Sequence, residues 1–206
     1  MNYLPSLQQQ VPETIFPKET GIKIFPSSQI PGRHLSTDKY LAQVYRRIVS
    51  EETVYKVFYD GSVRNTNDFI EFIRNIKNEI YFVEYDGIEA GFFWLTRFRH
   101  KSAFINYCFY KNFWGSKAFT VSQLCIDYIF NRKDKYGQFT LDVLLGLTPA
   151  NNKLAIKFLL KNGMTVLGKI PGILYNYTED TPMDGILSFK HRNGKSKYKL
   201  SSFFFS

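Results

Sequence analysis

Apolar residues follow two periodic patterns along this chain, and the first pattern predicts four helices. Apolar residues recur at spacings of three and four, which is typical of amphipathic helices that bury one face. Polar caps and a glycine mark several of their ends. The first helix is capped by Ser36 or Thr37, the second spans Asn65 to Lys77, the third contains Val121 to Ile129, and the fourth begins at Asn151 or Asn152 and stops at Gly163. The predicted inward residues are Tyr40, Leu41, Val44, Tyr45 and Ile48, then Phe69, Ile70, Phe72, Ile73 and Ile76, then Val121, Leu124, Cys125, Tyr128 and Ile129, and finally Leu154, Ala155, Phe158 and Leu159.

The second pattern, in which apolar residues alternate with polar ones or form continuous runs, predicts strands between these helices. Asp86-Gly87 is a strong signal for a hairpin turn between two of them, and Thr148-Pro149 is expected to end another. The order is β-α-α-β-β-β-α-β-α-β, with one more strand at the end. The predicted strands are 21–26, 79–85, 88–98, 101–110, 141–147, one that ends near Gly172, and 186–190.

This order predicts a single α/β domain at 21–190, without internal repeats. Residues 1–20 are polar and contain prolines, and we expect an irregular N-terminal arm there. Residues 191–206 form a basic C-terminal tail that contains the triplet Phe203 to Phe205. Exposed phenylalanines would form an apolar patch that soluble monomers avoid. We therefore expect the triplet to pack on the domain or on a second copy of the chain.

Two motifs carry a family resemblance. Asn152, Ala155, Ile156, Phe158, Gly163 and Met164 lie on a strand–helix–strand segment at 140–172 and resemble the last conserved block of the Gcn5-related N-acetyltransferase (GNAT) superfamily. Upstream, a strand, the loop KNFWGSKAF and a helix follow one another, and Trp114-Gly115 is similar to the loop opening in the ribosomal-protein N-terminal acetyltransferase branch. The resemblance covers roughly 21–190. It implies a divergent GNAT-like three-layer fold, in which a central mixed sheet has helices on both faces.

The loop between the fourth strand and the third helix is a candidate phosphate site, because backbone N–H groups and the helix dipole converge there. By resemblance it would hold the pyrophosphate of the cosubstrate acetyl-CoA through Trp114, Gly115, Ser116, Lys117, Ala118 and Phe119. Phe109, Tyr110 and Lys111 would lie along the pantetheine arm between two diverging strands, with Asn152 opposite. Lys117 stands where the family has a small residue. It could contact a phosphate or block the close approach of the backbone.

Catalytic residues are less clearly marked. The family's tyrosine acid falls at Leu159, and the strand before the pyrophosphate loop has no carboxylate. Tyr107 is then the best acid and Glu84 the best base, with His100 behind them. Simpler explanations for the presence of these residues are core packing for Tyr107 and an ordinary surface position for Glu84 and His100. An amine of low pKa needs little help from a catalytic base, since proximity alone contributes heavily to the rate of acetyl transfer.

The net charge of +9 allows several anionic partners. Cations cluster at 97–101 and 190–199, and the phosphates of coenzyme A would account for a basic surface. Nucleic acid is therefore not favoured as a partner. Cys108 and Cys125 are expected to be buried thiols, and neither they nor the three histidines have metal-site spacing, so we expect no metal. With no apolar run long enough to span a bilayer and no secretory signal, we expect a cytoplasmic protein.

Three functions remain open. The preferred one is an N-acetyltransferase that transfers an acetyl group from acetyl-CoA to an amine of a protein, peptide or small molecule. The second is a GNAT-fold interaction or assembly protein without catalysis, which would bind no cofactor and is similar in amino-acid usage to phage-encoded proteins. The third is a basic nucleic-acid-binding protein. By resemblance, the acceptor would be selected by the segments 51–65 and 172–183.

Overall fold

The computed structural model describes residues 21–27 and 37–194. The strands are β1 (Ile22–Pro26), β2 (Glu79–Tyr85), β3 (Ile88–Arg99), β4 (Ser102–Phe109), β5 (Val143–Pro149), β6 (Thr165–Asn176) and β7 (Thr181–His191). The helices are α1 (Asp38–Ser50), α2 (Val54–Val57), α3 (Thr66–Arg74), α4 (Ser116–Asn131) and α5 (Lys153–Lys161), and a 3-10 turn, Lys111–Phe113, precedes α4. The predicted arm at 1–20, Ser36 and the Phe203–Phe205 triplet lie outside the described residues.

The strands form one sheet in the order β1-β2-β3-β4-β5-β7-β6. β4 and β5 are parallel and the other neighbours are antiparallel, so the sheet is mixed. Side chains from α1, α2 and α3 fill a core on one face, including Leu41, Val54 and Phe69. Side chains from α4 fill a second core on the other face, with Phe158 of α5 packed against it. The predicted three-layer α/β fold is confirmed.

Local side-chain chemistry fixes where three of the helices begin. The Thr37 hydroxyl, the Asn65 side-chain oxygen and the Asn152 side-chain oxygen each accept a hydrogen bond from a backbone N–H in the first turn. These bonds satisfy donors that a helix leaves open at its start. Asp86 and Gly87 both have positive φ in the predicted hairpin turn. The predicted caps at Thr37 and Asn152 and the predicted hairpin turn are confirmed.

Other boundaries differ from the predictions. α3 ends at Arg74 rather than Lys77, and Ile76, predicted to face inward, is 98% exposed. Leu154 is also exposed, whereas the other α5 residues predicted to face inward, Ala155, Phe158 and Leu159, are partly buried or buried. The segment 172–183, expected to be a loop, is mostly strand, since β6 and β7 form a long hairpin.

Pro149 is the last residue of β5, so the strand runs two residues beyond its predicted end at Leu147. The N–H of the next residue, Ala150, donates to the carbonyl of Asp184 in β7 (2.9 Å). Successive residues alternate sides along a strand, so the nitrogen of Pro149 faces away from β7, toward β4. Within residues 21–27 and 37–194 no strand pairs with Pro149 on that side, so the missing N–H of proline leaves no strand acceptor without a donor.

Candidate active site

β4 and β5 lie side by side only at their N-terminal ends. Parallel pairing joins residues 102–104 to residues 143–145 and then stops. β4 stays paired with β3, and β5 with β7, so a wedge-shaped gap separates the two halves of the sheet. The wedge opens at the carboxyl ends of both strands, which is where α/β sheets bind ligands. The predicted divergence of this pair is confirmed.

Backbone groups at the end of β4 already have partners. The Tyr110 N–H donates to the carbonyl of Ala90 on the β3 side (3.0 Å). Because peptide groups are trans, the Phe109 carbonyl points the opposite way, toward the wedge. There the indole N–H of Trp114 donates to it (2.8 Å). The Lys111 N–H donates to the Glu51 carboxylate (2.7 Å). Each of the residues predicted to lie along the pantetheine arm thus has one backbone group bonded within the protein.

The N-terminus of α4 lies directly after this loop and is open to an anion. Gly115 is the N-cap residue, with φ of 83°, and no side chain caps the helix. A Cβ added at Gly115 would meet no atom within 4 Å, so the space beside the glycine is empty of protein. The first-turn N–H groups and the helix dipole therefore favour a negatively charged group at this point.

The helix begins earlier than the sequence indicated. Lys117, Ala118 and Phe119 were assigned to the loop, but they lie in the first turns of α4, which starts at Ser116. Ala118 is buried in the core, and the exposed Lys117 places its ammonium 5.7 Å from the ring centroid of Phe113. Lys117 does not fill the space beside Gly115, which favours a phosphate contact over a block.

Three aromatic rings bridge β4 and α5 beside the wedge. The Phe158 ring centroid lies 5.5 Å from that of Tyr107 and 6.5 Å from that of Phe109. The Tyr107 hydroxyl is buried and has no hydrogen-bond partner among the described residues. Burial, and then the nearby Cys125 thiol, raise the pKa of Tyr107 well above its usual range. Its hydroxyl therefore stays protonated and available as a donor.

The three catalytic candidates are not brought together. Glu84 lies on β2, two strands from β4, and its carboxylate accepts a hydrogen bond from the Lys23 ammonium (2.8 Å). His100 lies in the β3–β4 turn, at the opposite end of β4 from Tyr110. Tyr107 alone lies beside the wedge.

α5 closes the side of the wedge formed by β5. The Asn152 side-chain oxygen accepts from the Ala155 N–H (3.1 Å), so this residue caps the helix. Leu159, at the family's tyrosine position, is buried. A Cβ on Gly146 of β5 would lie 3.7 Å from Leu159 and 2.8 Å from the Ser188 hydroxyl. Glycine at 146 thus makes room for the Ser188 hydroxyl of β7, whereas the distance to Leu159 is ordinary van der Waals contact.

Two residues at the end of α1 were missed by the sequence analysis. Glu51 accepts hydrogen bonds from the side chain of Arg47 (3.0 Å) and from the backbone of Lys111, and Arg47 also donates to the Asn112 side chain (3.2 Å). The Arg47 guanidinium lies 3.5 Å from the ring centroid of Tyr110. Together they tie α1 to the loop that carries the anion site. The only sequence signal was the spacing of four between Arg47 and Glu51, which also fits an ordinary surface pair.

The two segments assigned to acceptor selection meet in the structure. The Tyr177 N–H, at the tip of the β6–β7 hairpin, donates to the Tyr59 carbonyl (2.9 Å). The tip packs so closely on Gly61 that a Cβ there would lie 2.5 Å from the Tyr177 ring. A cavity of about 100 Å³ lies between them, on the α1–α3 face. It is lined by Tyr45, Val54, Tyr55, Phe58, Tyr59, Val63, Arg64, Tyr177 and Thr178.

Comparison with known proteins gives matches among solved structures. RimL, a ribosomal alpha-N-protein acetyltransferase in complex with coenzyme A, matches with a TM-score of 0.67 and 13% identity over 87% of this chain and 98% of that one. MccE, a microcin self-immunity acetyltransferase in complex with acetyl-CoA and AMP, matches with a TM-score of 0.60 and 20% identity over 75% of this chain and 88% of that one. Spermidine N-acetyltransferase from Vibrio cholerae, in complex with coenzyme A and spermine, matches with a TM-score of 0.64 and 13% identity over 84% of this chain and 97% of that one.

The chain has the GNAT fold. No family model matches it, and no curated protein matches it significantly in sequence. Within residues 21–27 and 37–194, no helix is long and apolar enough to cross a membrane. The same residues contain no group of three or more His, Cys, Asp or Glu side chains that could hold a metal ion.

Proposed function

We propose that this protein is an N-acetyltransferase that uses acetyl-CoA to acetylate an amine of a protein, peptide or small molecule. The observation that carries the proposal is the uncapped N-terminus of α4 beside the wedge, with empty space next to Gly115. This arrangement occurs in a chain with the fold of acetyltransferases whose solved structures contain coenzyme A or acetyl-CoA.

The residues present fit this cosubstrate. The N–H groups of Ser116, Lys117 and Ala118 would bind the pyrophosphate at the helix N-terminus, and the Lys117 ammonium would add a charge-assisted contact. Phe109, Tyr110 and Lys111 would flank the pantetheine on one side of the wedge. Asn152, whose side-chain oxygen caps α5, would hold it from the other side with its amide N–H.

The reaction needs a hydrogen-bond donor for the departing sulfur more than a strong acid. The amine nitrogen attacks the thioester carbonyl, the C–N bond forms, the C–S bond breaks, and water takes the proton from the amine. Because burial raises the pKa of Tyr107, full proton transfer to a thiolate is unfavourable. Its unpartnered hydroxyl would instead stabilise the thiolate as a donor, and the thiolate would take its proton from water.

The acceptor would reach the thioester from the α1–α3 face. There the α2–α3 segment and the β6–β7 hairpin meet around the cavity at Tyr59 and Tyr177. Its lining is mostly aromatic and apolar, and burial, followed by Asp60, raises the pKa of Tyr59 to about 12. Such a lining would select the group that carries the amine by shape and ring contact rather than by charge.

A non-catalytic interaction protein remains the second candidate, and one observation favours it. The Phe109 carbonyl and the Lys111 N–H are bonded to Trp114 and Glu51, and the Tyr107–Phe158 ring contact bridges β4 and α5. If these contacts persisted in solution, they would restrict entry of the pantetheine arm.

Calorimetric titration with acetyl-CoA and with desulfo-coenzyme A separates the two candidates. We expect saturable, micromolar binding of both to the full chain. Gly115→Glu should weaken this binding by about a hundredfold or more, equivalent to about 2.7 kcal/mol, because a carboxylate would occupy the anion site. Absence of binding to the unaltered protein would overturn the acetyltransferase and support the interaction protein.

Gly137→Glu is the matched control. Gly137 also has a positive φ, of 75°, and a Cβ there would also meet nothing within 4 Å. It lies in the loop after α4, at the other end of β4. The same backbone strain and the same added charge at Gly137 should leave acetyl-CoA binding unchanged. An equal loss in both variants would mean that strain, rather than the anion site, explains the effect of Gly115→Glu.

A further inference from the structure

Uncompensated cations gather at the end of the sheet farthest from the α4 N-terminus. Three segments meet there: the β3–β4 turn at 97–101, the loop at 132–142 and the end of β7 at 190–192. The Asp142 N–H donates to the Lys101 carbonyl (2.7 Å), and the Arg192 N–H donates to the Asp142 carbonyl (2.8 Å). We call this surface the basic end. Its exposed cations are Arg97, Arg99, Lys101, Lys133 and Lys135.

The acidic side chains of these three segments do not neutralise the five exposed cations. Asp142 pairs with Arg192 (3.0 Å), and Asp134 accepts hydrogen bonds from the backbone N–H groups of Tyr136 and Gln138. Among the residues that the structure describes, no carboxylate forms an ion pair with the five exposed cations. The sequence continues past Gly194 with Lys195, Lys197 and Lys199 and without an acidic residue.

Coenzyme A phosphates do not account for this charge. The eight residues of β4 separate the basic end from the anion site at Gly115, and at about 3.3 Å per residue that is about 25 Å. The Debye length at physiological ionic strength is about 8 Å, so charges at the basic end scarcely affect a phosphate at Gly115. The charge indicates a separate anionic partner.

Aromatic rings lie among the cations. Tyr136 is 75% exposed and Phe98 is 40% exposed. The Lys135 ammonium lies 5.0 Å from the Tyr136 ring centroid, and the Arg97 guanidinium lies 5.6 Å from that of Phe104. Exposed rings between cations can stack on unpaired bases while the cations bind the phosphates, which is how single-stranded nucleic acids are held without sequence preference.

We propose that the basic end binds single-stranded nucleic acid, independently of acetyl-CoA. The contact is made by Arg99, Lys101, Lys133 and Lys135 to phosphates and by Phe98 and Tyr136 to bases. An acidic polypeptide or an anionic membrane would use the same cations but would not need the rings, and this difference makes the proposal testable.

The test is fluorescence anisotropy of a labelled oligouridylate of about 12 nucleotides, within the range of single-strand binding sites. The full chain should bind it saturably, and an excess of acetyl-CoA should not compete. A charge variant with Arg99, Lys101, Lys133 and Lys135 changed to Gln should lose at least about tenfold in affinity. A control variant with Lys39, Arg46, Lys157 and Lys161 changed to Gln has the same net charge and should lose less than about twofold.

A second pair of measurements distinguishes the partners. Phe98→Ala with Tyr136→Ala should lower oligouridylate affinity by at least about thirtyfold, the effect of two lost base stacks, and leave inorganic polyphosphate affinity unchanged. Equal losses in the charge variant and its control would overturn the proposal, because net charge would then explain binding. Unchanged oligouridylate affinity in the ring variant, or tighter binding to phosphatidylserine vesicles than to oligouridylate, would overturn it in favour of another polyanion.

Discussion

The two ends of β4 both suit anions, but by different means. At the wedge end, the anion site is made of backbone: the open N–H groups of α4, exposed by the positive φ of Gly115. Cations nearby are partly compensated, since Arg47 pairs with Glu51 and Lys111 lies near Glu52. At the basic end no helix N-terminus is present among the described residues, and flexible side chains such as Lys101 and Lys133 supply the charge.

This difference teaches what each end can discriminate. Backbone N–H groups have fixed positions, so they select one phosphate geometry and release few counterions on binding. Long cationic side chains adapt to many geometries, and their affinity depends on displaced counterions. The wedge end therefore suits one small ligand, and the basic end suits a polymer.

Salt gives the largest expected difference between the ends. If four phosphates of an oligouridylate contact the basic end, raising KCl from about 50 to about 200 mM should weaken binding about fiftyfold. Acetyl-CoA binding at the wedge end should fall by less than about fivefold over the same range, because the helix N-terminus and the wedge provide most of the contacts. Anisotropy and calorimetry at both salt concentrations measure the two effects.

Gly137→Glu sharpens this test at the basic end. The added carboxylate should reduce both the oligouridylate affinity and its dependence on salt, while Gly115→Glu should change neither. Equal salt dependence of the two ligands would break the comparison, since both ends would then bind through side-chain charge.

The elements of the fold were predictable wherever a local signal marks a boundary. Asp86-Gly87 and Gly163 need positive φ, and Asn152 caps its own helix, so each acts within a few residues. The end of β6 depends instead on a distant partner, and α3 ends at a turn in which the Lys77 N–H donates to the Asn75 side chain. Ile76 is exposed because α3 stops before it, and β6 extends past Gly172 because β7 continues beside it.

The candidate site shows the same difference between features that a local pattern predicts and features that depend on distant residues. Gly115 was found because the strand–loop–helix order is a local pattern. The bond from Lys111 to Glu51 joins residues 60 positions apart, and no spacing rule predicts it. Nor does a sequence pattern indicate that the Trp114 indole turns back to the Phe109 carbonyl. The sequence analysis marked cations at 97–101 and 190–199 only, and the fold places the loop at 132–142, with Lys133 and Lys135, beside them.

Trp114 tests whether the wedge end is a preformed site. Its indole bonds the carbonyl that faces the wedge, so acetyl-CoA must displace the indole to use that acceptor. We expect Trp114→Phe to bind acetyl-CoA about fivefold more tightly, since one hydrogen bond is worth about 1 kcal/mol net. Calorimetry measures this change, and Tyr136→Phe, at the basic end, is a control that should have no effect. Weaker binding in Trp114→Phe would mean that the indole supports the site and is not displaced.

The smallest expected effect is a contrast in stability between two tyrosines of the sheet. The Tyr107 hydroxyl, beside the wedge, is buried and has no partner in the part of the chain that the structure describes, whereas the Tyr81 hydroxyl, near the other end, donates to Glu79 (2.8 Å) and accepts from Arg132. Removing an unsatisfied buried hydroxyl relieves a desolvation penalty, so Tyr107→Phe should raise the free energy of unfolding by about 1 kcal/mol. Tyr81→Phe should lower it by about 1 to 2 kcal/mol, because it removes two hydrogen bonds to charged groups, although the ion pair between Glu79 and Arg132 remains.

Urea denaturation of the two variants measures these changes, and acetyl transfer measured beside it separates stability from function. A more stable Tyr107→Phe protein with a lower kcat would mean that the fold keeps an unsatisfied hydroxyl which the reaction uses. A more stable variant with unchanged kcat would remove Tyr107 from the proposed mechanism. Loss of stability in Tyr107→Phe would show that the hydroxyl is bonded in solution, and the wedge would then have no free donor on β4 to offer the departing sulfur.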